Sequence, residues 1–394
     1  MRIAFLSTSS IEDPSPRGRW LPVARELARM GHEPRLLLLH PTYEAVRSLT
    51  SGLTAEIDGV VCEHVAQMHV YGPPGQRRYF GGAELLKVAA NATRALYARA
   101  VALKPDAIHV CKPQPMNGAA GWLAARRLGI PLFVDCDDYE AAANRTSAAW
   151  QRAGIRWWED KLPARAKAIT CNTRFLMARY RALGVPSHKI FYVPNGIAKV
   201  DGPAPREEIS ANTIAYVGAM SIQTHSVDVL LDAFALLRQN MPRAQLRMIG
   251  DGDDRPALQA QAARLGVADA VAWAGRVAPA QARALLARAA CSVDPARDEP
   301  AMRGRSPLKI VESMSVGVPV VTSDVGDRRE VLGDGAAGVL VAPGSPVALA
   351  DGLRAVLTNA ALREDLSRAA LARAEKYRWD ILANVWAQAY SITN

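Results

Sequence analysis

At 394 residues, with 49 % apolar and 22 % charged residues, the chain can form two domains that each bury a core, and its composition suits a soluble globular protein. No apolar run reaches the ~18–20 residues that span a bilayer, and residues 1–6 lack a secretory h-region, so a cytoplasmic location is expected. The net charge of +10 favours anionic partners, either a bound phosphate or the inner face of an anionic membrane, while dispersed arginines without a framing motif argue against nucleic acid.

Short apolar runs alternate with longer amphipathic stretches, the pattern of parallel sheets flanked by helices. A strand is expected over 3–7, then a Pro/Gly-rich loop, a helix over 20–30 ended by Gly31, and a strand over 34–39. A loop over 71–82 precedes helices over 83–103 and 119–128, which alternate with strands over 107–111, 132–135 and 168–172. The pattern then restarts, with a strand over 213–217, a helix over 227–239 and a strand over 245–249 ending in Gly250-Asp251-Gly252. Helices near 257–265 and 279–289, and strands over 271–273, 291–294, 318–322 and 338–341, complete a second parallel set. Three prolines (Pro194, Pro203, Pro205) and two glycines (Gly196, Gly202) mark the boundary between the sets. The expected fold class is α/β, with two Rossmann-like domains over 1–197 and 198–376 and a last helix over 377–394. Cys62, Cys111, Cys136, Cys171 and Cys291 are scattered singly and the seven histidines show no ligand spacing. Small buried thiols are therefore expected, and neither disulfides nor a metal.

The most informative run is 303–321, which contains Arg303-Gly304-Arg305-Ser306-Pro307-Leu308-Lys309 and, further on, Glu312 and Gly317. Ser306 is a good helix N-cap, Pro307 fits the first helical position, and Gly317 suits a left-handed C-terminal cap before a buried strand. Free N–H groups at 306–309, with Lys309 and flanking Arg303 and Arg305, make an anion site. Glu312 follows Lys309 by three residues on one helix face, and a carboxylate there can accept two hydroxyl protons from a ribose. The plainer alternative is a capped surface helix on which Lys309 and Glu312 pair.

Other motifs accompany this run: Val193-Pro194-Asn195-Gly196-Ile197, Tyr216-Val217-Gly218, Gly250-Asp251-Gly252, Gly275-Arg276-Val277, Asp324-Val325-Gly326 and Glu330-Val331-Leu332. The ordered set resembles the GT-B glycosyltransferases of family 4, the retaining glycosyltransferase group 1, over essentially the whole chain. The resemblance implies two Rossmann-like domains facing across a cleft, with the nucleotide sugar on the C-terminal domain and most of the acceptor site on the N-terminal one. It implies a last helix that returns to the N-terminal domain and couples hinge closure to donor binding. It also implies retaining transfer of a hexose-type sugar from a nucleoside diphosphate sugar to a hydroxyl acceptor, such as a cell-envelope glycan or a lipid-linked acceptor. No cofactor and no metal are expected, because the helix dipole and basic side chains neutralise the leaving diphosphate.

Residue by residue, Glu312 matches the family glutamate that grips ribose, and Gly275-Arg276-Val277 the segment that passes the nucleobase. The donor-side candidates are Gly18, Gly218, His225, Gly250, Arg276, Val277, Arg305, Ser306, Pro307, Leu308 and Glu312, with Lys309 on the diphosphate. Three departures stand out. Gly304 occupies the position of a family glutamate, and Asp298 or Glu299 is the nearest replacement. Ala219 and His225 stand at or near the family's arginine and lysine positions, leaving the charge to Lys309 with Arg303 or Arg305. Asp137 and Asp138 occupy a histidine–aspartate pair; Asp138 first, then Asp137, are candidates to orient or deprotonate the acceptor. The alternatives are that the departing phosphate takes the proton, or that 135–140 is a solvated turn.

Arg17 and Arg19 beside Gly18 serve an anion or simply a surface loop, and Lys112-Pro113-Gln114-Pro115 follows a strand end. Arg77-Arg78-Tyr79-Phe80 and Trp157-Trp158 touch an acceptor or membrane, or pack helices. One rival is a non-catalytic sugar-nucleotide-binding scaffold, suggested by Gly304 and the altered loop. A nicotinamide oxidoreductase is disfavoured, since residues 7–18 lack Gly-x-Gly-x-x-Gly.

Overall fold

A computed structural model describes the chain apart from residues 49–52, 73–77, 145–147 and 393–394. The chain forms two compact units, Met1–Pro194 with Trp379–Asn394, and Asn195–Arg378. The first division therefore falls three residues before the expected boundary at 197, and the returning segment starts at Trp379.

The first unit carries β1 (Arg2–Leu6), β2 (Glu33–His40), β3 (Thr54–Ile57), β4 (Val60–Gln67), β5 (Val70–Tyr71), β6 (Arg78–Tyr79), β7 (Ala107–Cys111), β8 (Leu132–Cys136), β9 (Ala168–Cys171) and β10 (Ile190–Tyr192). Its main sheet has the order β10-β9-β8-β7-β1-β2-β4-β3, parallel except for β3 against β4, and β5 and β6 form a separate ribbon. The sequence pattern does not announce β3 and β4. Burial along β4 alternates, and its half-exposed positions carry Glu63 and Gln67, so no continuous apolar run forms. Central β2, by contrast, buries Leu36, Leu37, Leu38 and Leu39 in succession.

Strand order reverses at β1 and β7, which opens a crevice beyond their C-terminal ends. Asn117 pins that point: its Nδ2 donates to the Leu6 carbonyl at 3.1 Å and to the Cys111 carbonyl at 2.7 Å. The same residue caps helix Pro115–Leu128 by accepting from the Gln114 N–H at 3.1 Å, so the helix starts before the expected 119. The returning helix Trp379–Tyr390 packs Trp386 and Tyr390 onto the core of this unit with Phe5 and Phe133.

The loop expected before residue 20 is instead a helical turn, Pro16–Trp20, and it carries Arg19 inward. Arg19 is 1 % exposed and donates to both oxygens of the fully buried Asp135, at 2.8 and 2.7 Å. Trp20 Nε1 and Thr170 Oγ1 complete the carboxylate's shell at 2.8 and 2.7 Å. Arg19 is thus a core ion pair, and neither a surface residue nor an open anion ligand.

The second unit carries β11 (Ser210–Val217), β12 (Gln245–Ile249), β13 (Val271–Gly275), β14 (Ala289–Asp294), β15 (Val320–Ser323) and β16 (Gly338–Val341). All pairs are parallel, in the order β13-β12-β11-β14-β15-β16, so this sheet reverses between β11 and β14. Helix Val227–Asn240 seals one face with Leu230, Phe234 and Leu237. All five cysteines are buried and free, as their scatter implied.

Removing one partner of the Arg19–Asp135 pair strands a buried charge. Asp135→Ala is expected to destabilise the first unit by about 3–5 kcal/mol, and Arg19→Met in the same chain to recover part of the loss. Urea midpoints of the single and double variants check this.

Candidate functional site

In the second unit the crevice beyond β11 and β14 is shaped by two glycines. Gly218, after β11, has φ +147°, and a Cβ there would lie 2.5 Å from Lys309 Cε. Gly250, after β12, has φ +134°, and its Cβ would lie 2.0 Å from the Gly218 carbonyl oxygen. Both positions need glycine for backbone angle and for space. Their joint effect is a floor low enough for the Lys309 side chain to lie across.

Asp294, at the end of β14, organises the charges on that floor. Its Oδ1 lies 3.3 Å from Lys309 Nζ, and its Oδ2 accepts from Arg328 Nε at 2.8 Å. Lys309 Nζ also donates to the Tyr216 hydroxyl at 3.3 Å and sits 4.7 Å from that ring's centroid. Burial drives the Lys309 ammonium down to about 8, with Arg305 adding to the fall and Asp294 opposing it. Burial pushes Asp294 up, but Arg328 and Lys309 outweigh it and hold the carboxyl at about 2.

The helix expected from Pro307 begins one residue later, as Leu308–Ser315. Pro307 has φ −82° and ψ 72°, outside the helical region, so it stands at the cap position and Ser306 is displaced from it. The Ser306 hydroxyl accepts instead from the Asn195 N–H at 2.9 Å, while its carbonyl receives the Leu308 N–H at 2.9 Å. Ser306 is therefore a strut between the 193–197 motif and the helix start, which corrects its assignment as N-cap. Gly317 closes the helix at φ +66° as expected.

Arg305 donates to the Thr224 carbonyl and lies 3.1 Å from His225 Nε2. A guanidinium only donates, so Nε2 accepts and the ring proton sits on Nδ1, 3.0 Å from Thr224 Oγ1. Burial, Lys309 and Arg305 push His225 well below its ordinary value, so it is neutral and does not replace the family lysine as a cation. Arg303 turns outward and binds Asp298 at 2.6 and 2.8 Å. That pair removes Arg303 from the charge cluster and occupies Asp298; Glu299 stays exposed.

Glu312 is half-buried; its carbonyl accepts from the Ser315 hydroxyl at 2.7 Å, while its carboxylate has no hydrogen bond or ion pair among the described residues. Burial raises its pKa, against the pull of Arg283 and Lys309. Arg283 is itself engaged with Asp201 at 2.8 Å, and Lys309 with Asp294, so the surface pair between Lys309 and Glu312 does not form. Ser306 and Pro307 are buried and Leu308 is half-buried; Arg276 is exposed, and Val277 packs beside Ile249. Gly18 belongs to the first unit, in the turn that carries Arg19, and Arg17 Nε bonds the Ile11 carbonyl at 3.1 Å.

The first unit presents an acidic counterpart beyond β7 and β8. Lys112 Nζ lies 2.9 Å from Asp138, 3.0 Å from Glu140 and 3.6 Å from Asp137. Lys112 and Asp138 both adopt left-handed backbone, at φ +54° and +70°. Asp137 is 3 % exposed, accepts from Asn172 Nδ2 at 2.7 Å, and is raised to about 6 chiefly by burial. Asp138 is the more accessible of the two, with a side chain 21 % exposed. Residues 135–140 are thus a bonded cluster, and the solvated-turn alternative falls. Among the described residues, no group of three or more His, Cys, Asp or Glu is arranged to hold a metal ion. Arg77 lies outside the described residues.

Sequence reasoning missed Asp294, Tyr216, Arg328 and Asn172 as members of these clusters. Asp294 carried one usable signal, an acid ending an apolar run that reads as a strand; the others are adjacent only in space.

Two family models match the chain, "Glycosyl transferase 4-like domain" over residues 17–196 and "Glycosyl transferases group 1" over 211–359. The chain belongs to the group 1 glycosyltransferases. A phosphatidyl-myo-inositol mannosyltransferase of Mycobacterium leprae is 31 % identical over 58 % of this chain and 59 % of its own length. A D-inositol 3-phosphate glycosyltransferase of Nocardiopsis dassonvillei is 30 % identical over 67 % of this chain and 65 % of its own. This group 1 chain therefore matches between about half and two thirds of the length of such relatives. Among solved structures, a sucrose-phosphate synthase of Thermosynechococcus elongatus superposes with TM-score 0.78 at 16 % identity, over 99 % of this chain and 98 % of that one. Anabaena HepE in complex with UDP and glucose gives 0.73 at 19 % identity, with both chains fully covered. Each shares the GT-B fold with this chain.

Asp294 links the site to acid stability. Its pKa is depressed from 3.8 to about 2, so its stabilising contribution is complete above the ordinary value and is lost as pH falls through the folded one. The group accounts for about 2 kcal/mol of stability lost between about pH 4 and pH 2. Asp294→Asn is expected to be less stable at neutral pH and to show a shallower decline over that window, read from urea unfolding at stepped pH.

Proposed function

We propose that the chain transfers a hexose-type sugar from a nucleoside diphosphate sugar to a hydroxyl acceptor, with retention and without a bound metal. The observation that carries this reading is the Glu312 carboxylate, without a partner among the described residues, one turn beyond Lys309 on a helix that begins beside the glycine floor. A carboxylate held part-buried with no internal partner is ready to accept two ribose hydroxyls. Lys309, Arg305 and the positive end of the helix dipole supply positive charge for a departing diphosphate, the role the metal has in other transferases. Arg276 and Val277 flank the nucleobase in this reading. Asp138, held by Lys112, orients or accepts the acceptor's proton; Asp137, buried and bonded to Asn172, supports it.

The named relatives act on inositol phosphates and phosphatidyl-inositol, which supports a polyol hydroxyl as acceptor. One observation favours the rival, a nucleotide-binding protein without turnover: Asp298 is tied to Arg303, and Gly304 offers no carboxylate to the sugar. Calorimetry with a thermal-shift screen of UDP, GDP, ADP and TDP sugars, followed by donor turnover on an acceptor panel, separates the two.

Glu312→Ala is expected to weaken nucleotide binding about tenfold or more while leaving the fold intact; unchanged affinity removes Glu312 from the site. Lys309, with its pKa near 8, is charged below that pH and neutral above it. Nucleotide affinity should thus be flat below about pH 8 and fall above it by up to about tenfold per pH unit, because binding must then take up a proton. Lys309→Met should bind more weakly and lose this dependence, as titrations at stepped pH will show.

A further inference from the structure

Helix Ala149–Lys161 of the first unit carries a carboxylate where an apolar side chain would pack at less cost. Trp158 lies so close to helix Pro115–Leu128 that a Cβ at Gly118 would be 2.8 Å from its ring. The next residue, Glu159, is 0 % exposed, and no cation pairs with it among the described residues. Its oxygens accept instead from backbone, Oε1 from the Glu140 N–H at 2.8 Å and Oε2 from the Ala141 N–H at 3.1 Å. Burial raises its pKa to about 8; the two N–H groups and Arg179 pull against the rise, and the Glu140 charge adds to it. A carboxylate buried without a cation is a burden on the fold.

The loop that owns the two N–H groups gives that burden a purpose. They follow Asp138 by two and three residues, and the left-handed turn at Asp138 persists only if its surroundings fix it. From another side Arg179, paired with Asp160, lies over the Tyr139 ring at 4.5 Å. Glu140 then turns its own carboxylate to Lys112 at 3.0 Å, to Gln114 Nε2 at 2.5 Å and to Asn144 Nδ2 at 2.8 Å. Lys112 in turn reaches Asp138 at 2.9 Å. Glu159 is the buried end of this chain of bonds, and Asp138 is its accessible end.

We propose that Glu159 is a positioning residue for sugar transfer, whose ionised carboxylate fixes the loop over 138–141 and through it the Asp138 carboxylate. The inference rests on the reading that Asp138 meets the acceptor; Glu159, fully buried, acts only through the loop. Two acceptor oxygens on one rigid side chain match two successive N–H groups, which neither an apolar residue nor an amide can do. The titratable and charged groups that face Glu159 are Glu140 of the loop, and Arg179 and Tyr180 of helix Arg174–Ala182. Burial holds the Tyr180 hydroxyl well above its ordinary value, so it stays neutral.

Glu159→Gln and Asp138→Asn are compared with the wild-type full chain. Calorimetry uses the nucleoside diphosphate that the thermal-shift screen selects, and transfer is measured to the polyols of the acceptor panel at saturating donor. Glu159→Gln keeps the volume and one acceptor oxygen but sets an amide N–H against the second backbone N–H. Its kcat for transfer is expected to fall about tenfold with nucleotide affinity unchanged, whereas a general loss of structure lowers both. Both oxygens accept fully only when ionised, so the ratio of wild-type to Glu159→Gln kcat should grow several-fold between about pH 7 and about pH 9. Lys309, common to both chains, cancels in that ratio. A third measurement needs no acceptor: amide exchange at residues 140 and 141 should quicken about tenfold in the variant, with helix Pro115–Leu128 unchanged. Should Glu159→Gln not fold, Glu159→Asp, one methylene short of the second N–H, is read for kcat, nucleotide affinity and exchange in its place. Undiminished transfer, an equal loss of nucleotide affinity, a ratio constant with pH, or unaltered exchange each overturns the proposal. Wild-type transfer by Asp138→Asn instead overturns the reading of Asp138, and this inference with it.

Discussion

Burying a carboxylate at the end of a parallel strand is costly unless a cation is brought to it, and both units of this protein are arranged around that requirement. Asp135, one residue before the end of β8, is met by Arg19; Asp294 ends β14 and is met by Arg328. Left unpaired, either charge costs several kcal/mol. The local structure answers this cost, with a helical turn at Pro16–Trp20 aiming one arginine inward and the short helix Arg328–Val331 aiming the other. The loops beyond the strand ends, where α/β sheets bind their ligands, are thereby held by ion pairs as well as by backbone.

The two pairs are not equivalent. Asp135 has its whole hydrogen-bonding capacity filled by Arg19, Trp20 and Thr170, and is purely structural. Asp294 is shared between Arg328 at 2.8 Å and Lys309 at 3.3 Å, and the weaker partner is the one left close to losing its proton. A lysine so placed gains from an arriving phosphate. The first unit inverts the balance, with one lysine among three carboxylates. The second unit's strand-end surface thus gathers cations around one carboxylate, and the first unit's gathers carboxylates around one cation.

The departures from the family pattern form a connected set. With alanine at 219 and a neutral histidine at 225, the loop after Gly218 supplies no cation. Arg305 reaches toward that loop from the chain just before the helix and bonds Thr224 and His225. The cation facing this loop comes from Arg305, ahead of helix Leu308–Ser315, above the glycine turns at Gly218 and Gly250. Gly304 lies in the same short stretch as Arg305, so the missing glutamate and the displaced cation are features of one rebuilt segment.

The alternation of strands with helices along the chain and the glycine turns were legible in the sequence, because apolar periodicity and backbone permissiveness are local properties. Central strands with unbroken apolar runs matched closely, while alternating β4 and its edge partner β3 left no such mark. Lys309 and Glu312 were visible through their spacing on one helix. Only the folded chain decided that Arg19 is a core residue, that Ser306 reaches Asn195 and leaves the helix uncapped, that Arg303 faces outward to Asp298, and that Asp294 governs Lys309. Each of these depends on which polar group meets which in space, from five residues apart for Arg303 and Asp298 to more than a hundred for Arg19 and Asp135. Electrostatic partnership is set by distance in space and by exclusion of water, and neither quantity is written in the order of residues.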